Sequence, residues 1–277
     1  MKHFIQRHPI WSFLIINYLI SWSFLYPSYQ SILKNDGITP IALIGLIGAY
    51  GPTIAAIIVQ SIIDKKQIKP LLRKLIKVKT GFKTILFVIG FPLIFYFLAY
   101  YSSRVIFDGS INFNWLLGIS NIPFLFLAAL PFGPMGEELG WRGFMLPKLL
   151  ENYSFVKSTF YVGLAWGVWH LASFTFPGAA LPEFFRVSIW SISLYFVNTI
   201  ALSFVFTFIY LRTSGSVFYA IILHAFFNMA SNIAVDFLGE TNNSSILISS
   251  YILNIIIAGI CGFLLIKNQK DSVGHLK

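Results

Sequence analysis

Acidic residues are scarce in this chain. Ten Asp and Glu stand against twenty Lys and Arg in 277 residues, and charged residues of every kind make up only 11%. A water-soluble domain runs near about 25% charged, so water is not the solvent for most of this surface. Cysteine is almost absent. The single Cys261 excludes an intrachain disulfide and a thiolate metal cluster, and within an apolar span it reads as a small filler with no role. Ser/Gly linkers, low-complexity tracts and internal repeats are missing too, which leaves one integral membrane domain over residues 1–277. No small-residue cleavage site closes the first apolar stretch, so it is expected to be a retained span and not a signal peptide.

What fills the chain is apolar sequence, 57% of it hydrophobic, with a mean hydropathy of +0.75. Eight stretches, roughly 9–30, 38–63, 84–106, 115–147, 155–175, 187–211, 216–236 and 246–266, reach or approach the length that crosses about 30 Å of hydrocarbon. The expected fold is therefore all-α, a polytopic bundle of about eight transmembrane helices. The basic residues orient it. With the N-terminus in the cytoplasm, sixteen of the twenty fall on the cytoplasmic side, including Lys2, Arg7, eight between Lys65 and Lys83, Arg212, Lys270 and Lys277. Only Lys34, Arg104 and Arg186 fall outside, which places both termini in the cytoplasm.

Topology thus accounts for the net charge of +10, and nucleic acid is not an expected partner. Membrane lipids are, with anionic headgroups against the Lys65–Lys83 run. Within that run Leu71, Leu72, Leu75 and Ile76 share a helical face opposite Lys and Arg, the pattern of an interfacial helix. Two spans are interrupted, at Tyr50-Gly51-Pro52 and at Pro131-Phe132-Gly133-Pro134. Each proline removes a backbone donor. The second break precedes Glu137 by three residues, and either kinks the helix or lets it enter a hydrated cavity.

Against this background Glu137 and Glu138 stand adjacent in an apolar span. A carboxylate at mid-bilayer depth costs about 2.5 to 3.5 kcal/mol, so such residues face a protein interior and are functional by default. Glu138 and Arg142 are i and i+4 on a helix and can pair. Glu137, turned about 100° away, is left for other work. A carboxyl without a cation in apolar surroundings suits general acid–base chemistry. Of five histidines, His3, His8 and His275 lie in the expected tails, while His170 and His224 lie within spans. Trp166 and His170 are i and i+4, as are His224 and Asn228. The last pair either aims two donors at a developing oxyanion or packs as polar side chains between helices. Together these residues put two acids, a cation, two imidazoles and an amide on three spans, and point to one shared site.

Three ordered motifs, Glu137-Glu138-x-x-x-Arg142, Trp166-x-x-x-His170 and His224-x-x-x-Asn228, resemble those of the CAAX protease and bacteriocin-processing family (CPBP, also ABI) of intramembrane endopeptidases. The segments Gly51-Pro52-Thr53-Ile54-Ala55-Ala56, Trp141-Arg142-Gly143, Leu146-Pro147-Lys148-Leu149 and Ser214-Gly215-Ser216 resemble the family's surroundings, and the protease-like core is expected over about 115–236. The resemblance implies that Glu137 with His170 activates a water, that His224 and Asn228 stabilise the oxyanion, and that Glu138, Arg142 and Trp166 support the site. Trp166 stands where many members have Phe.

The sequence leaves the metal open. There is no His-Glu-x-x-His helix, yet a catalytic Zn²⁺ needs three protein ligands, and His170, His224 and Glu137 are candidates. The favoured reading needs no cofactor. Two other functions fit the same sequence: a non-catalytic bacteriocin-immunity or scaffold protein, and a transporter relaying protons through buried Glu and His. The transporter is disfavoured because no inverted repeat is apparent. Abundant Ile, Phe, Lys and Asn point to a bacterial cell membrane, where peptide leaders, bacteriocin precursors or membrane-anchored proteins are the expected substrates.

Overall fold

The computed structural model describes residues 2–35, 39–78, 81–108, 113–177, 179, 189–239, 252–253, 255–264 and 267. Lys79, Arg186, Lys270, His275, Lys277, the start of the last expected span and most of the stretch from Asp236 to Ser245 lie outside them. Every regular element among the described residues is helical, as a chain surrounded by lipid requires, because each backbone N–H and C=O must then be satisfied within its own segment.

After the short α1 (Lys2–Arg7), the first expected span is α2 (Pro9–Asn35). The second bends. Here α3 (Pro40–Leu43) and α4 (Gly45–Ala49) turn by 50° into a longer run that opens with α5 (Gly51–Asp64). The break falls at Tyr50, ahead of Pro52 in the first turn of α5, where proline is tolerated because no intrahelical donor is needed. Thr39 caps the bent pair, its hydroxyl accepting from the Ala42 N–H at 3.1 Å. A short α6 (Ile68–Arg73) precedes α7 (Phe82–Ser103).

The expected span 115–147 is not one helix. It breaks into α8 (Trp115–Ser120), α9 (Ile122–Ala129), α10 (Pro134–Glu138), a π-helix (Leu139–Met145) and the start of α11 (Leu146–Leu150). The next is α12 (Phe155–Trp169), which stops at His170, followed by α13 (Leu171–Thr175). The long α14 (Ile189–Arg212) and α15 (Val217–Leu238) come next, and the apolar α16 (Ile255–Leu264) falls in the last expected span. Among the described residues four helices are long and apolar enough to cross a membrane, or five with the bent pair, against an expectation of about eight. The other three expected spans coincide with shorter or interrupted helices. In two of them the cause is local: Gly133 and Pro134 end one helix and start another, and the chain turns at His170; the third, 246–266, is described only in part.

The helices divide by what surrounds them. The most apolar stretch of the α7 span is only 22% buried, and it exposes Leu86, Ile94 and Leu98. Apolar surface on that scale belongs against lipid. By contrast 72% of the equivalent stretch of α15 is buried. This helix is the central post, packed by α7, α8, α9, α10, α14 and the π-helix, and it carries His224 and Asn228.

Hydrogen bonds sort the connections to two ends of the bundle. At one end Gln6 donates to the Ile62 carbonyl at 3.5 Å, Lys77 Nζ donates to the Ser214 carbonyl at 2.6 Å, and Tyr219 donates to the Val78 carbonyl at 2.9 Å. At the other end the Asn114 N–H donates to the Phe237 carbonyl at 2.9 Å, and Gln30 donates to the Pro177 carbonyl at 2.9 Å.

One sequence expectation is corrected here. The apolar residues of the basic segment do not share a face. Leu71 is buried and Leu75 half-buried, while Leu72 and Ile76 are 39% and 76% exposed. The segment tightens from α6 into a 3₁₀ turn over Lys74–Ile76, which changes the angle between successive side chains. Lys74 Nζ pins this turn by donating to the Gly143 carbonyl at 2.7 Å and to the Tyr210 hydroxyl at 3.2 Å.

Candidate functional site

The acidic helix begins at an abrupt turn. Gly133 has φ 135° and ψ −74°, a conformation that side chains other than glycine's strongly disfavour. A Cβ there would lie 3.0 Å from Glu137 Oε1 and 3.5 Å from Asn228 Nδ2. The turn therefore does two things: it points α10 inward, and it leaves unfilled the space between a carboxylate and an amide. Further along, a Cβ at Gly140 would come within 2.5 Å of the Pro52 carbonyl oxygen. Only glycine lets the π-helix lie this close to the bend in the second span, which explains why Gly51-Pro52 accompanies the acidic motif.

Glu138 and Arg142 form the expected pair. Arg142 Nη1 donates to Glu138 Oε1 at 2.8 Å and to Oε2 at 3.1 Å, with both side chains fully buried. The guanidinium lies between two aromatic faces, 4.1 Å from the Phe206 ring centre and 4.7 Å from that of Trp166. Its Nη2 donates to Ser203 Oγ at 3.3 Å. Attraction to the ring faces and to Glu138 offsets the loss of water around the cation. A third group joins them: His224 Nδ1 lies 2.7 Å from Glu138 Oε1. The carboxylate can only accept, so Nδ1 carries the proton and Nε2 is the ring's free nitrogen.

Glu137 is held separately. It is buried, and Trp166 Nε1 donates to its Oε2 at 2.7 Å. The same residue holds His170, whose Nδ1 donates to the Trp166 carbonyl at 2.9 Å. A carbonyl oxygen has no proton to give, so His170 presents Nε2 as a lone pair when neutral. Trp169 and Tyr195 flank the His170 ring at centroid distances of 4.8 and 5.3 Å. Asn228 is exposed, and its amide makes no hydrogen bond among the described residues.

All seven residues singled out from the sequence are described: Trp166 touches Glu137, Arg142, His170 and His224, Glu138 joins through Arg142 and His224, and Asn228 stands across the Gly133 space from Glu137. Glu137 and His170 do not bond to each other; the indole and carbonyl of Trp166 hold one each. His224 and Asn228 share a helix, but the Nδ1 of His224 belongs to Glu138. Sequence reasoning missed Ser203, Phe206 and Tyr195 on α14, and gave Gly133 no part in the site. Gly133 has a signal in its Pro-Phe-Gly-Pro setting. The α14 residues have none, because their contacts are tertiary: Ser203 and Phe206 meet Arg142 across about 60 residues of chain, and Tyr195 packs on His170. Among the described residues, no three His, Cys, Asp or Glu side chains come together in an arrangement that could hold a metal ion.

The fold and this cluster define a class: a multi-pass α-helical membrane protein with an ionisable site enclosed among its helices. Comparison with known proteins places it more narrowly. Residues 119–230, which span every polar residue of the site, match the family model of type II CAAX prenyl endopeptidase Rce1-like proteins. Over 123 residues the chain is 30% identical to CAAX prenyl protease 2 of Methanococcus maripaludis, covering 44% of each protein. Residues 119–230 are thus similar to the type II CAAX prenyl endopeptidase Rce1-like family, and the chain matches less than half the length of that relative.

Proposed function

We propose that this protein is an intramembrane endopeptidase of the CAAX type, acting in the cell membrane on a membrane-associated protein or peptide. One observation carries the reading. Glu137 is fixed through Oε2 by the Trp166 indole, while Oε1 faces the Asn228 amide across the space that Gly133 leaves open. A base and an oxyanion donor on two sides of one space is the arrangement that peptide hydrolysis needs.

In this mechanism Glu137 Oε1 takes a proton from a water that His170 Nε2 helps to orient. The hydroxide adds to the scissile carbonyl carbon, and the C=O electron pair moves onto oxygen. Asn228 Nδ2–H and His224 Nε2–H donate to that oxyanion. For this His224 carries both ring protons, and Glu138 supports the charge through Nδ1. As the tetrahedral adduct collapses, the C–N bond breaks and Glu137 returns its proton to the leaving nitrogen. The products are a carboxylic acid and an amine, which ionise to carboxylate and ammonium when the acid's proton passes to the amine. No step passes through a metal.

The test is cleavage of a quenched-fluorescent peptide library by the detergent-purified full chain. Glu137→Gln removes the base while keeping shape, and the rate is expected to fall by about 100- to 10,000-fold. Wild-type activity is expected to persist in chelator. Loss in chelator restored by zinc would assign His170, His224 and Glu137 as ligands. Full activity in Glu137→Gln would overturn Glu137 as the base, whereas an immunity or scaffold role predicts no cleavage by the wild type and protection that survives both Glu137→Gln and His224→Ala.

A further inference from the structure

The basic segment 65–76 has an inner and an outer side. Inward it is pinned, by buried Leu71 and by Lys74 on the Gly143 carbonyl. Just beyond its last turn, Lys77 bonds the Ser214 carbonyl. Outward it forms a shallow groove of 530 Å³ lined by Lys65, Ile68, Lys69, Leu72, Arg73 and Ile76.

The spacing of those six residues is regular. Lys65, Lys69 and Arg73 stand at i, i+4 and i+8, and so do Ile68, Leu72 and Ile76. A cationic row and an apolar row therefore line one groove, α-helical over Ile68–Arg73 with a 3₁₀ turn at each end. Among the described residues none of the three groove cations makes an ion pair; the neighbouring Asp64 carboxylate accepts the Lys66 N–H at 2.9 Å. Three cations without an ion-pair partner among the described residues select an anion. An adjoining apolar row selects an anion that carries hydrocarbon. The volume matches a headgroup and the first carbons of its chains, within the range of small-molecule sites and not of a folded partner.

We propose that this groove holds an anionic phospholipid, its phosphate against Lys65, Lys69 and Arg73 and its glycerol and upper acyl carbons along Ile68, Leu72 and Ile76. The site is preformed, since the inner side of the segment is already fixed to the bundle. Little ordering is left to be done on binding, which favours retention of one lipid over loose attraction to many. The inference is independent of the peptidase reading, because binding is read without any substrate.

The experiment is native mass spectrometry of the full chain in neutral detergent, titrated with phosphatidylglycerol or with phosphatidylcholine. Wild type is expected to retain phosphatidylglycerol in preference. Each groove cation is worth about fivefold in affinity, so Lys69→Gln with Arg73→Gln is expected to weaken retention roughly 25-fold. Lys66→Gln with Lys83→Gln takes the same charge from the same stretch outside the groove and is expected to change little. The charge-preserving pair Lys69→Arg and Arg73→Lys should bind like wild type, which separates lost contact from lost folding. Equal retention of the two lipids would overturn the proposal. So would equal losses in the groove and control pairs, or displacement of the lipid by inorganic phosphate at matched ionic strength.

Discussion

At the scale of single residues, Trp166 connects groups that would otherwise be independent. Its indole N–H holds Glu137, its ring face meets Arg142, its ring packs T-shaped with His224, and its carbonyl fixes the ring of His170. The family resemblance treats Trp and Phe as equivalent here, but only Trp has the N–H. Trp166→Phe keeps the aromatic body and removes one hydrogen bond to a carboxylate, an interaction of about 1.5 to 3 kcal/mol. If that bond aims Glu137, kcat is expected to fall roughly tenfold or more with KM little changed. An unchanged kcat would reduce Trp166 to packing. The Glu138–Arg142 pair predicts a different kind of loss. Arg142→Gln strands a buried carboxylate and is expected to destabilise the protein by about 3 to 5 kcal/mol, read as earlier unfolding on denaturant titration in detergent. Neutralising both groups, as Glu138→Gln with Arg142→Met, should recover much of that stability without recovering cleavage.

At the scale of elements, the break between α9 and α10 is the part of the architecture most directly tied to the chemistry. A continuous helix through 131–134 would carry Glu137 along the bundle; the turn at Gly133 restarts the helix and aims it at Asn228. Gly133→Ala would force a side chain into a disfavoured backbone conformation, at about 1 to 3 kcal/mol, and would fill the space beside Glu137 Oε1. The expected outcome is a modest fall in stability with at least a tenfold loss of cleavage, and retained cleavage would show that substrate does not use this space. Much of this was legible in advance. Proline and glycine mark both breaks, and i,i+4 spacing identifies the Glu138–Arg142 pair, because both are local in the chain. The bond from His224 to Glu138 and the stacking of Phe206 on Arg142 are tertiary, and no spacing encodes them. The split of Leu71 from Leu72 was hidden for a related reason: the two are consecutive in α6 and about 100° apart, and only the tertiary packing decides which edge of an apolar face turns inward.

At the scale of the molecule, charge and structure agree on which loops lie together. The hydrogen bonds at one end join the N-terminal helix, the basic segment and the turn at Ser214, the parts in which the sequence concentrates Lys and Arg. The opposite end brings together Asn114 and Phe237, with Arg104 beside Gly239. Depth follows from α15. His224 and Asn228 lie seven and eleven residues beyond Val217, about 10 and 16 Å along the helix, so the site is reached from the basic end by roughly half a span. If the positive-inside asymmetry sets orientation, that end is cytoplasmic, and a substrate would meet the site nearer the inner leaflet. Buried Cys261 makes this directly measurable, since Cys261→Ala gives a background without thiols. On it, Lys34→Cys is expected to react with a membrane-impermeant maleimide on intact cells, and Lys66→Cys only after the membrane is opened. Labelling of Lys66→Cys on intact cells would invert the bundle, put the lipid groove and the shorter path to Glu137 on the outer face, and require a substrate delivered from outside.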